Sequence, residues 1–226
     1  MPQNLDFKFK NRLQAAIKLS ELFSKERAKE ENWLFLALSF NAIYIASFLA
    51  EKFQCDFDII FMEPILAPNN KECVVAMVSE TEDIVGSYEL INSFDITRDY
   101  IYGEAHRRYD EDIISKVHSF KGVYDLKGKI EDRNVVLIDD GCESGLKMLT
   151  AIKSLINNRA KSVKIGVPIM PKQVYKSFLS KADEIFYLHL IEDFIETSFY
   201  YEEYEEAEGE DVKNILKKRN KVKENL

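Results

Sequence analysis

The chain has 226 residues, of which 46% are hydrophobic, and its formal net charge is −8. This apolar content is enough for one substantial core or at most two small ones, which argues against a disordered or fibrous protein. The excess of 39 acidic over 31 basic residues argues against a general attraction to nucleic acid or anionic lipid, although an acidic protein can still bind phosphate locally.

The first part of the chain predicts one βαβ unit. Apolar spacing over residues 7–23 predicts an amphipathic helix, followed by a charged connector. The apolar runs at 33–39 and 57–62 are typical of strands covered on both faces, and a helical stretch over 43–53 separates them. This order implies parallel strands joined by a right-handed crossover.

The middle of the chain is less regular. Residues 73–79 and 83–90 predict a pair of strands with a weak hairpin signal between them. Residues 98–122 are mostly polar and show little apolar periodicity, so they predict a helix that opens into a mobile loop.

The clearest βαβ unit comes next. A strand over 135–139, a helix over about 146–158 and a strand over 162–168 follow one another, and a helix over 171–181 and a strand over 184–190 complete the pattern. We therefore predict an α/β fold with a Rossmann-like, mainly parallel sheet of about five strands.

No repeat and no linker rich in Pro, Gly or Ser divides the chain. We predict a single domain over residues 1–226, with a core over about 30–190 and a small hood from about 1–25 and 191–226. The ligand is expected across the carboxyl ends of the strands that begin near residues 33 and 135.

The cysteines and the hydropathy pattern bear on location. Cys55, Cys73 and Cys142 are an odd number, far apart and without a CxxC pair, which argues against disulfides and structural zinc. Neither a signal peptide over residues 1–13 nor an apolar run of about 18 residues is present. We expect a cytoplasmic protein without a membrane span.

The segment over residues 135–148 carries the strongest chemical signal. An apolar strand ends in Asp139 and Asp140 and passes through a turn bounded by Gly141 and Gly145 into a helix. The amide N–H groups from about residue 142 to 146 and the Ser144 hydroxyl are expected to hold a phosphate at the helix N-terminus. Two carboxylates beside a phosphate can bind a vicinal diol or a hydrated Mg²⁺, which points to a sugar phosphate.

This segment resembles the phosphoribosyl-pyrophosphate signature of the type I phosphoribosyltransferase family, in which two acids and a short loop precede Thr-Gly-x-Thr. Ser144 keeps the first hydroxyl, whereas Lys147 replaces the second by a cation. By resemblance, Asp139 and Asp140 are the catalytic-site acids that contact the ribose hydroxyls. The residues that would cradle the 5′-phosphate are Gly141, Cys142, Glu143, Ser144, Gly145, Leu146 and Lys147.

The resemblance extends over nearly the whole chain, to a subgroup of bacterial phosphoribosyltransferase-domain proteins. FKNR at 9–12 is similar to the subgroup's opening Phe-x-x-Arg, and APNNKE at 67–72 to its Ala-Pro-Gly-Asn-Pro-Glu element. VPIMP at 167–171 and ADE at 182–184 are similar to its closing strands, and SFYYEEYEE at 198–206 to its aromatic-acidic element.

Two departures from the family pattern fall on the pyrophosphate side. The sequence Ser39-Phe40-Asn41-Ala42 stands where the family's loop carries Arg-Gly-Gly, and Glu63-Pro64 stands where a basic pair is usual. A glutamate there costs about 1 to 4 kcal/mol against a departing pyrophosphate at effective dielectric constants of about 20 to 80, unless Mg²⁺ intervenes. Closure of the expected loop could supply the missing positive charge from Arg107, Arg108 and Lys121.

Three functional hypotheses follow. The first, which we favour, is a phosphoribosyltransferase-type enzyme that binds phosphoribosyl pyrophosphate with Mg²⁺ and passes ribose 5-phosphate to a nitrogenous acceptor. The metal would be held indirectly through the substrate, with Asp139 and Asp140 as further ligands. The alternative is a non-catalytic module that recognises ribose 5-phosphate or a nucleotide. A receiver-like Mg²⁺ site at the same two acids is a third reading, to which the loop glycines give no support.

Three further features have competing interpretations. Cys142 is either a redox-sensitive thiol at a helix N-terminus or, as we favour, a small loop residue. The stretch 199–206 is compatible with a cover over the ligand, with a contact in a homodimer or with a solvated turn. The basic tail over 217–225 favours a solvated helix face over a nucleic-acid contact.

Overall fold

The computed structural model describes residues 8–123 and 126–218. The strands are β1 (Trp33–Ala37), β2 (Asp56–Ile59), β3 (Met62–Ala67), β4 (Asn70–Ser79), β5 (Ile84–Gly86), β6 (Asn134–Ile138), β7 (Ser162–Pro171) and β8 (Glu184–Ile191). Five of them form a sheet in the order β2-β1-β6-β7-β8, in which every neighbouring pair is parallel. The prediction of an α/β fold with a mainly parallel sheet of about five strands is confirmed.

Helices pack against this sheet, against a second, smaller sheet and against one another. They are α1 (Arg12–Ser20), α2 (Lys25–Glu30), α3 (Ala42–Phe53), α4 (Tyr88–Ser93), α5 (Arg98–Arg108), α6 (Ile114–Lys121), α7 (Leu126–Ile130), α8 (Leu146–Asn157), α9 (Lys172–Phe178) and α10 (Gly209–Lys218). Every residue of β1 and β6 is buried, as expected for central parallel strands with helices on both sides. None of the described helices is long and apolar enough to cross a membrane.

A separate antiparallel sheet has the order β3-β4-β5. It contains the predicted strand pair, although the second strand is short and α4 follows it. The apolar run predicted as one strand over 57–62 divides between the two sheets. The Ile60 N–H donates to the carbonyl of Ala37, whereas the Phe61 N–H donates to the Glu80 carboxylate, so the chain changes its pairing partner at that point.

The prediction of a mobile loop within 98–122 is wrong. This segment is helical, because α5 continues through a π-helical turn, Tyr109–Ile113, into α6. Its polar residues pair locally: Arg107 binds Glu104 and Glu111, and Arg108 binds Asp112. Buried Lys121 donates to both carboxylate oxygens of Glu80 at 2.7 and 2.9 Å. The three cations suggested for the pyrophosphate side are therefore engaged elsewhere.

The N-terminal and C-terminal segments meet at the edge of the fold. Phe9 forms a parallel bridge with Tyr201, and its amide N–H donates to the carbonyl of Tyr200 at 2.9 Å. All three aromatic residues are buried. Of the basic tail over 217–225, only Lys217 and Lys218 lie within the described residues, as the last residues of α10. The division into a core and a hood stays a prediction.

Candidate functional site

Two neighbouring strands of the parallel sheet end at the same place. Ala37 at the end of β1 pairs with Ile138 at the end of β6, and the Leu38 N–H donates to the Ile138 carbonyl at 3.0 Å. Ser39 follows β1, and Asp139 and Asp140 follow β6 directly. The topology therefore brings a hydroxyl and two carboxylates together at the carboxyl edge of the sheet, where open α/β folds bind their ligands.

Both carboxylates are almost completely buried and each is held at one oxygen. Asp139 Oδ1 accepts hydrogen bonds from the Ser39 hydroxyl at 3.1 Å and from the Asp140 N–H at 3.2 Å. Asp140 Oδ2 accepts from Arg12 Nε and from the Tyr204 hydroxyl, each at 3.0 Å. In the part of the chain that the structure describes, Asp139 Oδ2 and Asp140 Oδ1 accept no hydrogen bond. Each acid thus keeps one oxygen for a ligand.

A lysine on the following helix influences the charges of this edge. Burial raises the pKa of Asp139 to about 7; Lys147 opposes that rise and Asp140 adds to it. In return, Asp139 is the main cause that raises the pKa of Lys147. Lys147, which replaces a hydroxyl of the signature, therefore interacts electrostatically with both acids.

The turn between β6 and α8 is shaped by two glycines. A Cβ on Gly141 would lie 2.4 Å from the side chain of Thr197, whose own N–H donates to the Glu143 carboxylate at 2.9 Å. Gly145 has a φ of +76° and is the N cap of α8, where it supplies no side chain to accept from the first-turn amides. The positive end of α8 is therefore available to an anion.

The amides predicted to face outward are not all available. The Cys142 N–H donates to the Ile169 carbonyl at 3.1 Å, which ties the turn to β7, and the Leu146 N–H lies 3.4 Å from Ser144 Oγ. Glu143 and Ser144 are exposed, and their amides make no hydrogen bond within the described residues. The amides best placed for an anion are therefore those of Glu143, Ser144 and the first turn of α8.

The thiol of Cys142 is packed into the protein rather than presented at the helix terminus. It is buried, and burial followed by the charge of Asp139 raises its pKa well above the ordinary range. A redox-sensitive thiol requires the opposite shift and access to solvent. The structure therefore favours the interpretation of Cys142 as a small packing residue of the turn.

The segment after β1 packs onto the protein itself. The Ala42 N–H donates to Ser39 Oγ at 3.1 Å, which closes the turn before α3. Phe40 contacts Phe61 and Phe120, with ring centroids 6.3 and 4.9 Å apart. Asn41 donates to the Tyr204 hydroxyl at 3.1 Å. The side chains of this segment therefore stabilise its turn, pack into an aromatic cluster and bind the C-terminal segment.

Comparison with known proteins identifies the family. The sequence model described as the phosphoribosyl transferase domain matches residues 8–205. The chain belongs to this family. The match covers both carboxylates, the turn to α8 and the segment after β1, so the resemblance found in the motifs is confirmed.

One solved structure shares the fold, and two phosphoribosyltransferase structures match more weakly. TT1426 from Thermus thermophilus matches with a TM-score of 0.71 at 22% identity, covering 92% of this chain and 97% of that chain. A purine phosphoribosyltransferase from Pyrococcus horikoshii matches with a TM-score of 0.44 at 15% identity, covering 87% of this chain and 91% of that chain. A hypoxanthine phosphoribosyltransferase from Staphylococcus aureus matches with a TM-score of 0.44 at 12% identity, with coverages of 81% and 77%.

One departure from the family's usual residues is neutralised by a lysine. Glu63 is buried in β3, and its carboxylate forms an ion pair with Lys116 of α6. The compensating cation at this position is therefore Lys116, and not Arg107, Arg108 or Lys121 as the sequence suggests. The pair cancels the charge of Glu63 but does not add a net positive charge for pyrophosphate.

Arg12 and Tyr204 lie at the candidate site, although the motifs do not point to them as ligand-binding residues. Both touch Asp140, although they lie near opposite ends of the chain. Both residues belong to motifs that the sequence shows, since Arg12 ends FKNR and Tyr204 lies in the aromatic-acidic element. Neither motif, however, predicts which residues its members contact. Only the folded chain shows that they meet at Asp140.

Gly145→Ala should destabilise the protein by roughly 2 to 4 kcal/mol. The alanine would be forced to a positive φ, and its Cβ would lie 2.8 Å from Val174 Cγ1. Urea unfolding measures this loss. Gly103→Ala is the matched control, because its Cβ would meet nothing within 4 Å inside α5, and it should stabilise by about 0.5 to 1 kcal/mol. Equal unfolding midpoints for the two variants would contradict the prediction.

Proposed function

We propose that the protein is a phosphoribosyltransferase-type protein whose site binds the ribose 5-phosphate part of phosphoribosyl pyrophosphate. The observation that carries the proposal is the pair of carboxylate oxygens, Asp139 Oδ2 and Asp140 Oδ1, to which no described residue donates, beside an uncapped helix N-terminus. Two adjacent acceptors match the two donors of a vicinal diol.

The phosphate of the ligand would occupy the turn over residues 141–147. The amides of Glu143 and Ser144 and the first turn of α8 would donate to its oxygens, with the exposed Ser144 hydroxyl as a further donor. An anion at this position gains from the helix dipole and from the nearby ammonium of Lys147. The geometry therefore supports recognition of the phosphate at one end of the ligand and of the diol at the other.

In an active enzyme, a nitrogen of the acceptor would attack C1 of the ribose while the C1–O bond to pyrophosphate breaks. Pyrophosphate leaves with the bonding electrons, and positive charge develops on the ring. The two buried carboxylates would stabilise that charge through the ribose hydroxyls they hold. The acceptor is proposed to be a nitrogenous small molecule.

Magnesium is proposed only as part of the ligand. Across residues 8–123 and 126–218, no group of three or more His, Cys, Asp or Glu side chains could hold a metal ion. The residues therefore do not fit a metal held by the protein alone. A hydrated Mg²⁺ carried by the pyrophosphate oxygens would complete its shell with water or, in place of one contact to a ribose hydroxyl, with the open oxygen of Asp139 or Asp140.

A second candidate function is a non-catalytic module that recognises ribose 5-phosphate or a nucleotide. The packing of Phe40 against aromatic rings and of Asn41 against the C-terminal segment favours it, because both stand where the family usually places its cation and glycine. In either case the partner is a small phosphorylated sugar or nucleotide, and a nucleic acid is not expected. A reducing cytoplasm is the proposed location, which the three free cysteines support.

Titration of the purified protein with phosphoribosyl pyrophosphate and with ribose 5-phosphate, each with and without Mg²⁺, tests the proposal. An enzyme should bind the pyrophosphate ester at least about tenfold more tightly in Mg²⁺, or roughly 1.4 kcal/mol. Comparable affinities would favour the non-catalytic module. If neither compound binds, the proposed site is wrong.

A further inference from the structure

We propose that Arg12, Tyr204 and Asn41 are positioning residues that fix the Asp140 carboxylate for one ribose hydroxyl. We refer to these three residues as the carboxylate clamp. The proposal rests on the proposed function, since it assigns the clamp to the same site. Under this proposal, two residues from near the ends of the chain take part in the recognition of ribose. A third comes from the segment that the family usually uses for pyrophosphate.

Arg12 and Tyr204 act on the same oxygen of Asp140. Arg12 Nε and the Tyr204 hydroxyl both donate to Oδ2, and the guanidinium carbon of Arg12 lies 4.2 Å from the centre of the Tyr204 ring. The arginine also donates to the carbonyl of Glu205. Two donors on one oxygen prevent rotation of the carboxylate and leave Oδ1, to which no described residue donates, for the ligand.

The main chain of Asp140 is held as well. The hydroxyl of Tyr201 donates to the Asp140 carbonyl at 2.6 Å, and Tyr201 is itself buried. The side chains of Asp140 and Arg12 are 6% and 11% exposed, so water competes little for these bonds. The C-terminal segment therefore fixes both the backbone and the carboxylate of Asp140.

Asn41 completes the clamp from the opposite side. Its Nδ2 donates to the Tyr204 hydroxyl at 3.1 Å and to Glu206 at 2.8 Å, while its Oδ1 accepts from the Ala207 N–H at 2.8 Å. The hydroxyl of Tyr204 thus accepts from Asn41 and donates to Asp140, which sets the direction of its proton. A glycine at position 41 would provide none of these bonds.

Substitution of Tyr204 by phenylalanine isolates the effect, because it removes one hydroxyl and keeps the ring under Arg12. We expect Tyr204→Phe to weaken binding of ribose 5-phosphate about three- to tenfold, the range for one hydrogen bond. Binding of inorganic phosphate, which would contact only the turn at α8, should stay within about twofold. Equal weakening of the binding of both probes would contradict the clamp, because the substitution would then act through a general loss of structure.

The matched control is Tyr44→Phe. Tyr44 also lies against the C-terminal segment and its hydroxyl faces a carboxylate, Asp211, at 3.4 Å, but it makes no contact with Asp140. This variant should bind both probes like the unmodified protein. Arg12→Lys, which keeps the charge, should retain more affinity for ribose 5-phosphate than Arg12→Gln.

Each outcome decides the proposal. Unchanged ribose 5-phosphate affinity in Tyr204→Phe would overturn the clamp while leaving the proposed function intact. Tighter binding would also overturn it, because Tyr204 would then compete with the ligand for Asp140. If the unmodified protein binds inorganic phosphate but not ribose 5-phosphate, or binds neither, the proposed function itself fails and the clamp fails with it.

Discussion

Asp139→Asn combined with Asp140→Asn is expected to abolish measurable binding of ribose 5-phosphate. Each carboxylate offers one free oxygen to a hydroxyl, and a hydrogen bond to a charged group contributes about 1.5 to 3 kcal/mol. Loss of both hydrogen bonds costs roughly 3 to 6 kcal/mol of binding free energy, which raises the dissociation constant at least about a hundredfold. Isothermal titration of the double variant measures the change.

A second acidic pair provides the control. Glu192 and Asp193 directly follow β8, another strand of the parallel sheet, and both are exposed. The Glu192→Gln and Asp193→Asn double variant removes the same formal charge and should bind ribose 5-phosphate like the unmodified protein. If the variant at positions 139 and 140 also binds normally, the assignment of the diol to these acids is contradicted.

Asp139→Asn alone should make the protein more stable at alkaline pH. Burial raises the pKa of Asp139 from its ordinary value near 4 to about 7, so the folded protein binds this proton more tightly than the unfolded chain does. The stabilisation is complete below about pH 4 and is lost as the pH rises through about 7. An asparagine keeps the neutral form at every pH and avoids a loss of up to about 4 kcal/mol.

Urea unfolding at pH 5 and pH 8 checks this effect. The gain in unfolding free energy of Asp139→Asn over the unmodified protein should be larger at pH 8 than at pH 5. Asp193→Asn, at an exposed position, should show no such difference. If Asp139→Asn is destabilising at pH 8, the buried acid is a structural requirement. A gain in stability together with a loss of ligand binding would show that the charge is retained for function.

The part of the site that motif reasoning predicted well is local in the sequence. The apolar run over 135–139 ends in two acids and a glycine-bounded turn, and the structure places β6, the turn and α8 in that order. A buried strand, a positive φ and a helix N-terminus depend mainly on neighbouring residues, so such a segment can be read directly from the chain. The βαβ order predicts the pairs β1–β2 and β6–β7, whereas the pairing of β1 with β6, which brings Ser39 to Asp139, joins two different units.

The remaining features depend on contacts between distant residues. Arg12 and Asp140 are 128 positions apart, and Tyr204 and Asp140 are 64 apart. No local pattern states that two terminal segments meet at the sheet edge. The ion pair of Glu63 with Lys116 is equally hard to predict from the sequence, because it joins β3 to α6 across 53 positions.

The helical segment over 98–121 shows a different limit. Its polar composition suggested a mobile loop, but a helix surface also satisfies polar residues through pairs three or four positions apart, such as Arg107 with Glu104 and Glu111. Apolar periodicity alone therefore underestimates helices stabilised by charge pairs. Arg107 and Arg108, which a mobile loop would leave available to a ligand, are paired within the helix.

The central claim is that ribose 5-phosphate binds with its phosphate at the turn before α8 and its diol at the two acids. A crystal structure of the protein with ribose 5-phosphate tests it most directly. We expect phosphate oxygens within hydrogen-bond distance of the amides of Glu143 and Ser144, and the two ring hydroxyls on Asp139 Oδ2 and Asp140 Oδ1. A ligand bound elsewhere, or bound with its diol away from both carboxylates, would contradict the account.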